Sequence, residues 1–145
     1  MNFTEQKKYE AHLTTINPKA LDYAGIHYSV CNLRSISRSL ETVKECVEKF
    51  EALEKANLPE VAAFFALCKA QAFLAKGAVA GIVEKAEEKI ESALTPKNAC
   101  EDVEDLAHAA DMYTSALCLV ATGYANTCKE ALYRAEEIVA RCIIA

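Results

Sequence analysis

The strongest constraint in the sequence is a set of apolar residues that recurs at helical spacing between residues 26 and 50. From Leu33 onward the repeats alternate three and four residues apart, as along one face of a helix in a bundle or coiled coil. Charged residues fill the other faces, and Glu45 and Lys49 have the spacing of a favourable helical ion pair. The apolar positions are Ile26, Leu33, Ile36, Leu40, Val43, Val47 and Phe50.

Capping chemistry marks where the helices begin and end. Asn17-Pro18 has the form of an N-cap followed by a first-turn proline. Residues 57–60, 98–101 and 127–130 each have the form of a capping box, and Gly123 is placed to end a helix in the left-handed conformation. No segment shows the sustained alternation of a strand.

We therefore predict an all-α fold, an antiparallel up-down helical bundle with four main helices plus a short N-terminal helix, in a single domain spanning residues 1–145. Tyr113, Leu117 and Val120 are among the expected core residues of the third main helix. Gly25 and Gly77 are the expected positions of any kink in the long helices. The predicted helices cover residues 4–14, 18–56, 59–95, 99–122 and 127–144.

Composition narrows the class of protein. The net charge of −5 gives no general attraction for nucleic acid or anionic lipid. The N-terminus lacks the apolar segment of a secretory signal, and no run of residues approaches the ~18 apolar residues of a membrane span. We expect a cytoplasmic protein without a membrane span.

Seven cysteines occur without any C-x-x-C pair, so the sequence predicts neither a zinc ribbon nor a thioredoxin-type site. We expect reduced cysteines that pack as small apolar residues. The alternative is an exported inhibitor-like bundle held by one or two disulfides.

No constellation of residues predicts catalysis. His108 follows Glu104 and Asp105 at helical spacing, but a di-iron bundle would need a second such motif and further inward carboxylates. His27 and Cys31 are one helical turn apart, which is weak evidence for a nucleophile and its base. We expect a non-enzymatic protein with no metal and no cofactor.

Aromatic residues supply the candidate binding site. Phe64 and Phe65 lie in a stretch that is apolar on every side, residues 61–67, and Tyr113 and Tyr28 could complete a pocket or an interface between helices. A helix with apolar residues all round is either central in a bundle or meets a partner.

The chain ends in Cys142-Ile143-Ile144-Ala145, which has the form of a prenylation signal. Lipidation at Cys142 is one interpretation of this ending. The interpretation that we prefer is the final apolar turn of the last helix, because Ile138, Val139 and Cys142 continue an apolar face.

The function that follows is protein–protein contact by a non-enzymatic bundle, as an adaptor, a regulatory protein or an oligomerising module such as a homodimer. The alternative is a bundle that binds a small apolar ligand between its helices, with the disulfide-held bundle as a further alternative. The sequence does not identify the partner or the ligand.

Overall fold

The computed structural model describes residues 3–98 and 100–144 of the chain. Its α-helices are α1, Phe3–Ile16; α2, Ala24–Glu54; α3, Ala62–Ala93; and α4, Val103–Ile144. Short 3-10 turns, Ala20–Asp22 and Pro59–Val61, precede α2 and α3. No strand occurs in these ranges, and the predicted all-α bundle is confirmed. Ala99, the first residue of one predicted helix, and Ala145 lie outside the described residues.

The three long helices run up, down and up. Glu54 at the end of α2 pairs with Lys69 near the start of α3 at 3.1 Å, so these two helices are antiparallel. Lys89 near the end of α3 lies over the ring of Tyr113 near the start of α4, so α4 is antiparallel to α3. It follows that α2 and α4 are parallel to each other.

The short helix α1 lies along part of the groove between α2 and α3. The Tyr9 hydroxyl donates to the carbonyl oxygen of Glu87 at 3.4 Å, and His12 Nε2 lies 2.7 Å from Glu91 Oε1. Burial is the main reason that the pKa of Tyr9 rises above its ordinary value, with Glu91 and Glu87 adding to the effect. With only 14 residues, α1 covers roughly 21 Å of the groove.

The start of α2 differs from its predicted position at residue 18. Asn17 Oδ1 accepts a hydrogen bond from the backbone N–H of Lys19, which closes a local turn instead of capping the long helix. The 3-10 turn follows, and α2 begins at Ala24. Neither predicted kink position is a break, because Gly25 lies in the first turn of α2 and Gly77 lies inside the continuous helix α3.

The last segment is one helix of 42 residues, about 63 Å long, and the predicted break between residues 122 and 127 does not occur. Gly123 is an ordinary helical residue, and the Thr127 hydroxyl donates to its carbonyl oxygen at 3.0 Å, within the helix. Ala121, Ala125 and Cys128 are buried on either side of the glycine. Burial of this uninterrupted face outweighs the local signals for termination.

The contact between α2 and α4 fixes the register of the bundle. The side-chain amide of Asn32 reaches Asp111 Oδ1 at 3.1 Å, and Thr114 Oγ1 and Ser115 Oγ at 3.0 Å each. Near the start of both helices, Gly25 faces the backbone of Ala107. Most residues that α4 buries are alanines, whereas α2 buries Ile26, Leu33, Ile36, Val43 and Phe50.

Replacing Gly25 with alanine should destabilise the protein by about 1–3 kcal/mol. The new Cβ would overlap the Ala107 carbonyl group and lie 2.7 Å from the His108 nitrogen, so two backbones would have to separate. Urea unfolding measures the change. Gly77→Ala is the control, because no side chain and no backbone of another described element lies within 4 Å of its Cβ position. It should stabilise the protein by about 0.5–1 kcal/mol. Equal shifts in the two variants would contradict the close contact.

Replacing Asn32 with aspartate should destabilise the protein at neutral pH by about 1–3 kcal/mol, because a donor becomes a carboxylate facing the oxygens of α4. The loss should shrink in acid, where the new carboxyl group is protonated and can donate again. Urea unfolding at several pH values tests this. The exposed Asn126 of α4 provides the control Asn126→Asp, and the same loss in both variants would rule out the proposed bridge.

Candidate binding surface and cavity

The four predicted binding residues do not form one pocket. Phe65 is buried, and its ring lies 6.2 Å from that of the half-buried Phe64. Tyr113 lies under Lys89, about 36 Å along α3 from Phe65 at 1.5 Å per residue. Tyr28 is 56% exposed on α2 and contacts His27. The aromatic residues are therefore distributed along the bundle.

The C-terminal residues extend beyond the rest of the bundle. Cys142 is exposed, and Ile143 is 70% exposed, although both residues lie in α4. The helical spacing continues the core face up to Val139, which is buried, but the other helices of the described ranges leave the next turn exposed. The prediction that this ending packs in the core is wrong for Cys142 and Ile143. Modification at Cys142 stays a prediction that no observation tests.

Large apolar side chains are exposed along the outer sides of α3 and α4. Leu74 is 75% exposed and Leu119 is 77% exposed, the highest values among the large apolar side chains that the structure describes. Gly77 and Gly123 are exposed on the same two helices, with open space around the Cβ position of each. We call this surface the α3–α4 face. Its large residues are Leu67, Leu74, Met112, Tyr113, Leu119, Val120 and Tyr124.

Charged residues are absent from the centre of the α3–α4 face. No Asp, Glu, Lys, Arg or His occurs from residue 112 to residue 128 of α4. This 17-residue uncharged stretch is the sequence signal that could have identified the surface. Tyr113 and Val120 were expected in the core but are exposed, whereas Ala110 and Ala121, which the same spacing also places in the core, are buried, as is Thr114.

The apolar character of α3 also bears on membranes. By length and composition, segment Pro59–Ala93 could cross a membrane. The prediction that no run of residues approaches a membrane span is therefore wrong. Only 28% of its most apolar window is buried inside the molecule. Core helices of soluble proteins can satisfy the same two criteria.

A cavity of about 230 Å³ opens on the α3–α4 face. Its floor is formed by the buried side chains of Phe50, Cys68, Ala72, Ala75 and Cys128, so all three long helices contribute. Its mouth is formed by Gln71, Leu74, Tyr124 and Thr127, with the half-buried Ala131 between mouth and floor. No charged side chain lines the cavity.

All seven cysteines are unpaired in the structure. Cys31, Cys100 and Cys142 are exposed. Burial is the main reason that the pKa values of Cys46, Cys68 and Cys128 are raised, because a thiolate is poorly solvated there. These three thiols come from three different helices and are neutral at physiological pH.

Within residues 3–98 and 100–144, no group of three or more His, Cys, Asp and Glu side chains is placed to hold a metal ion. His108, the candidate from the sequence, is exposed at the start of α4. Comparisons with protein-family models, with curated proteins and with solved structures return no significant match.

We expect cysteine alkylation to separate the three exposed thiols from the three buried ones, with the half-buried Cys118 between the two groups. In native protein, iodoacetamide should react quickly with Cys31, Cys100 and Cys142. It should react at least tenfold more slowly with Cys46, Cys68 and Cys128, because burial lowers both the access of the reagent and the fraction of thiolate. Mass spectrometry of the labelled peptides gives each rate. Urea-unfolded protein without reductant is the control, in which all seven should react at similar rates. Fewer than seven reactive thiols would instead support the disulfide-held alternative.

Proposed function

We propose that this protein acts through protein–protein contact, as a non-enzymatic bundle whose α3–α4 face packs against a second copy of the chain. The observation that carries the proposal is the exposure of large apolar side chains on that face, led by Leu74 and Leu119. Such exposure has a free-energy cost in water that association removes.

The size of the face matches what a stable dimer needs. Aromatic side chains present on the order of 150–250 Å² each and aliphatic ones somewhat less, so the exposed fractions of the seven large residues of the face add up to roughly 700 Å². A standard protein interface buries about 800 Å² on each partner, and a typical monomer exposes no apolar patch above roughly 600 Å².

The charges around the face favour a second copy in antiparallel orientation. Asp105 lies eighteen residues before Gly123, and Arg141 lies eighteen residues after it. Eighteen residues are five helical turns, so all three lie on one line along α4. If a two-fold axis passes near Gly123, Asp105 of each copy faces Arg141 of the other. The open space at Gly123 allows the two helices to approach closely.

The same pairing gives a role to the end of α4. Residues 140–143 are exposed beyond the other helices and would lie against the first turns of the second copy's α4. The uncharged centre and charged ends then form the apolar core and polar rim that are typical of interfaces.

We expect Leu119→Glu to convert a dimer into a monomer, because a carboxylate would lose its hydration at the centre of the interface. Sedimentation velocity measures the change. Tyr28→Glu is the control, since Tyr28 is a similarly exposed apolar residue outside the face, and this variant should remain dimeric. Wild-type protein that sediments as a monomer at every concentration would rule out self-association.

A charge exchange tests the orientation. Asp105→Arg should weaken association by up to about tenfold, because it places like charges opposite each other at two rim positions. The double variant Asp105→Arg, Arg141→Asp should restore it. If both variants associate as strongly as wild type, the antiparallel arrangement is ruled out, whereas self-association itself is not.

A further inference from the structure

The cavity between α3 and α4 reaches the buried core of the bundle. Phe50, at its floor, is 1% exposed and belongs to α2, the helix behind the other two. We propose that this cavity is a binding site for a small, neutral, largely apolar molecule with one or two rings and one N–H or O–H group at its outer end. The site does not depend on self-association.

Volume sets the size of the ligand. An apolar cavity of about 150 Å³ engineered in another protein holds benzene, so about 230 Å³ accommodates a somewhat larger molecule such as a bicyclic ring. An inserted leucine side chain from a second copy has four carbon atoms, fewer than benzene. It would leave part of the volume empty, so a small molecule fits the space better.

The lining sets the charge of the ligand. No Asp, Glu, Lys, Arg or His side chain lines the cavity, and the thiols of Cys68 and Cys128 are neutral at its floor. A charged ligand would lose its hydration without gaining an opposite charge. Neutral molecules are therefore selected over carboxylates, phosphates and amines.

The mouth sets the position of one polar group. The Thr127 hydroxyl uses its proton in the hydrogen bond to the Gly123 carbonyl, so its oxygen remains available as an acceptor. The exposed Gln71 side chain can both donate and accept on the opposite side of the mouth. A ligand with an outward N–H or O–H can thus satisfy that group at the rim while its rings contact the floor.

Indole has this combination of size, neutrality and a single N–H, and it is the probe for the test. The calorimetric titration uses the Leu119→Glu variant, in which the chains should stay separate and the face stays free. The substitution leaves the cavity intact, because Leu119 does not line it. We expect indole to bind with a dissociation constant on the order of 0.1 mM. Naphthalene should bind several-fold more weakly for lack of the N–H, and indole-3-acetate should not bind measurably.

Two variants locate the site. Ala131→Phe should abolish indole binding by filling the cavity, whereas the matched variant Ala116→Phe, at an exposed position of the same helix, should bind normally. Thr127→Val should weaken indole binding but leave naphthalene binding unchanged, which a general loss of folding could not produce. Circular dichroism confirms that each variant is folded.

Alkylation gives an independent readout. Saturating indole should slow iodoacetamide labelling of Cys68 and Cys128 at least fivefold and leave Cys31 unaffected, because only the first two thiols line the cavity. The proposal is overturned if indole does not bind, if Ala131→Phe binds indole as well as wild type does, or if labelling depends on protein concentration but not on indole. That last outcome would show that a second copy fills the cavity instead. Because the titration uses separated chains, failure of self-association would not affect it.

Discussion

The close parallel contact between α2 and α4 is the constraint on which the other features depend. Gly25 provides no side chain where the two backbones meet, and Asn32 bridges the same two helices about two turns further on. To keep this short separation, α4 buries mainly alanines. Its larger apolar residues must then lie on the other sides of the helix, and the exposed α3–α4 face follows from the packing that stabilises the fold.

Periodicity and capping predict the fold class and most of α3, because both depend on nearby residues. The predicted helix break at Gly123 was wrong because it, too, rested on nearby residues alone. A glycine followed by Thr127 and Glu130 satisfies local rules for termination, while the outcome is decided by Ala121, Ala125 and Cys128 packing against the other long helices. Local signals describe what a segment can do alone, and the burial of a continuous face can override them.

The candidate sites were less predictable because they depend on spatial relations between helices. Phe64, Phe65, Tyr113 and Tyr28 attract attention as large aromatic residues, yet the bundle separates them. The cavity arises where Ala72, Ala75 and Ala131 leave space above Phe50, and missing volume has no signature in a single sequence. The uncharged stretch from residue 112 to residue 128 was visible, but only the structure shows that its large side chains face outward.

The face and the cavity share Leu74 and Tyr124, so their proposed occupants influence each other. A second copy on the face covers the mouth, and a ligand would then enter and leave mainly when the copies separate. At equilibrium the influence is reciprocal. If bound ligand changes the association constant of the two copies by some factor, association changes the affinity for the ligand by the same factor. A bicyclic molecule that fills the cavity level with the face adds apolar area at the centre of the contact. The two events should therefore strengthen each other at equilibrium, while the closed mouth slows exchange of the ligand.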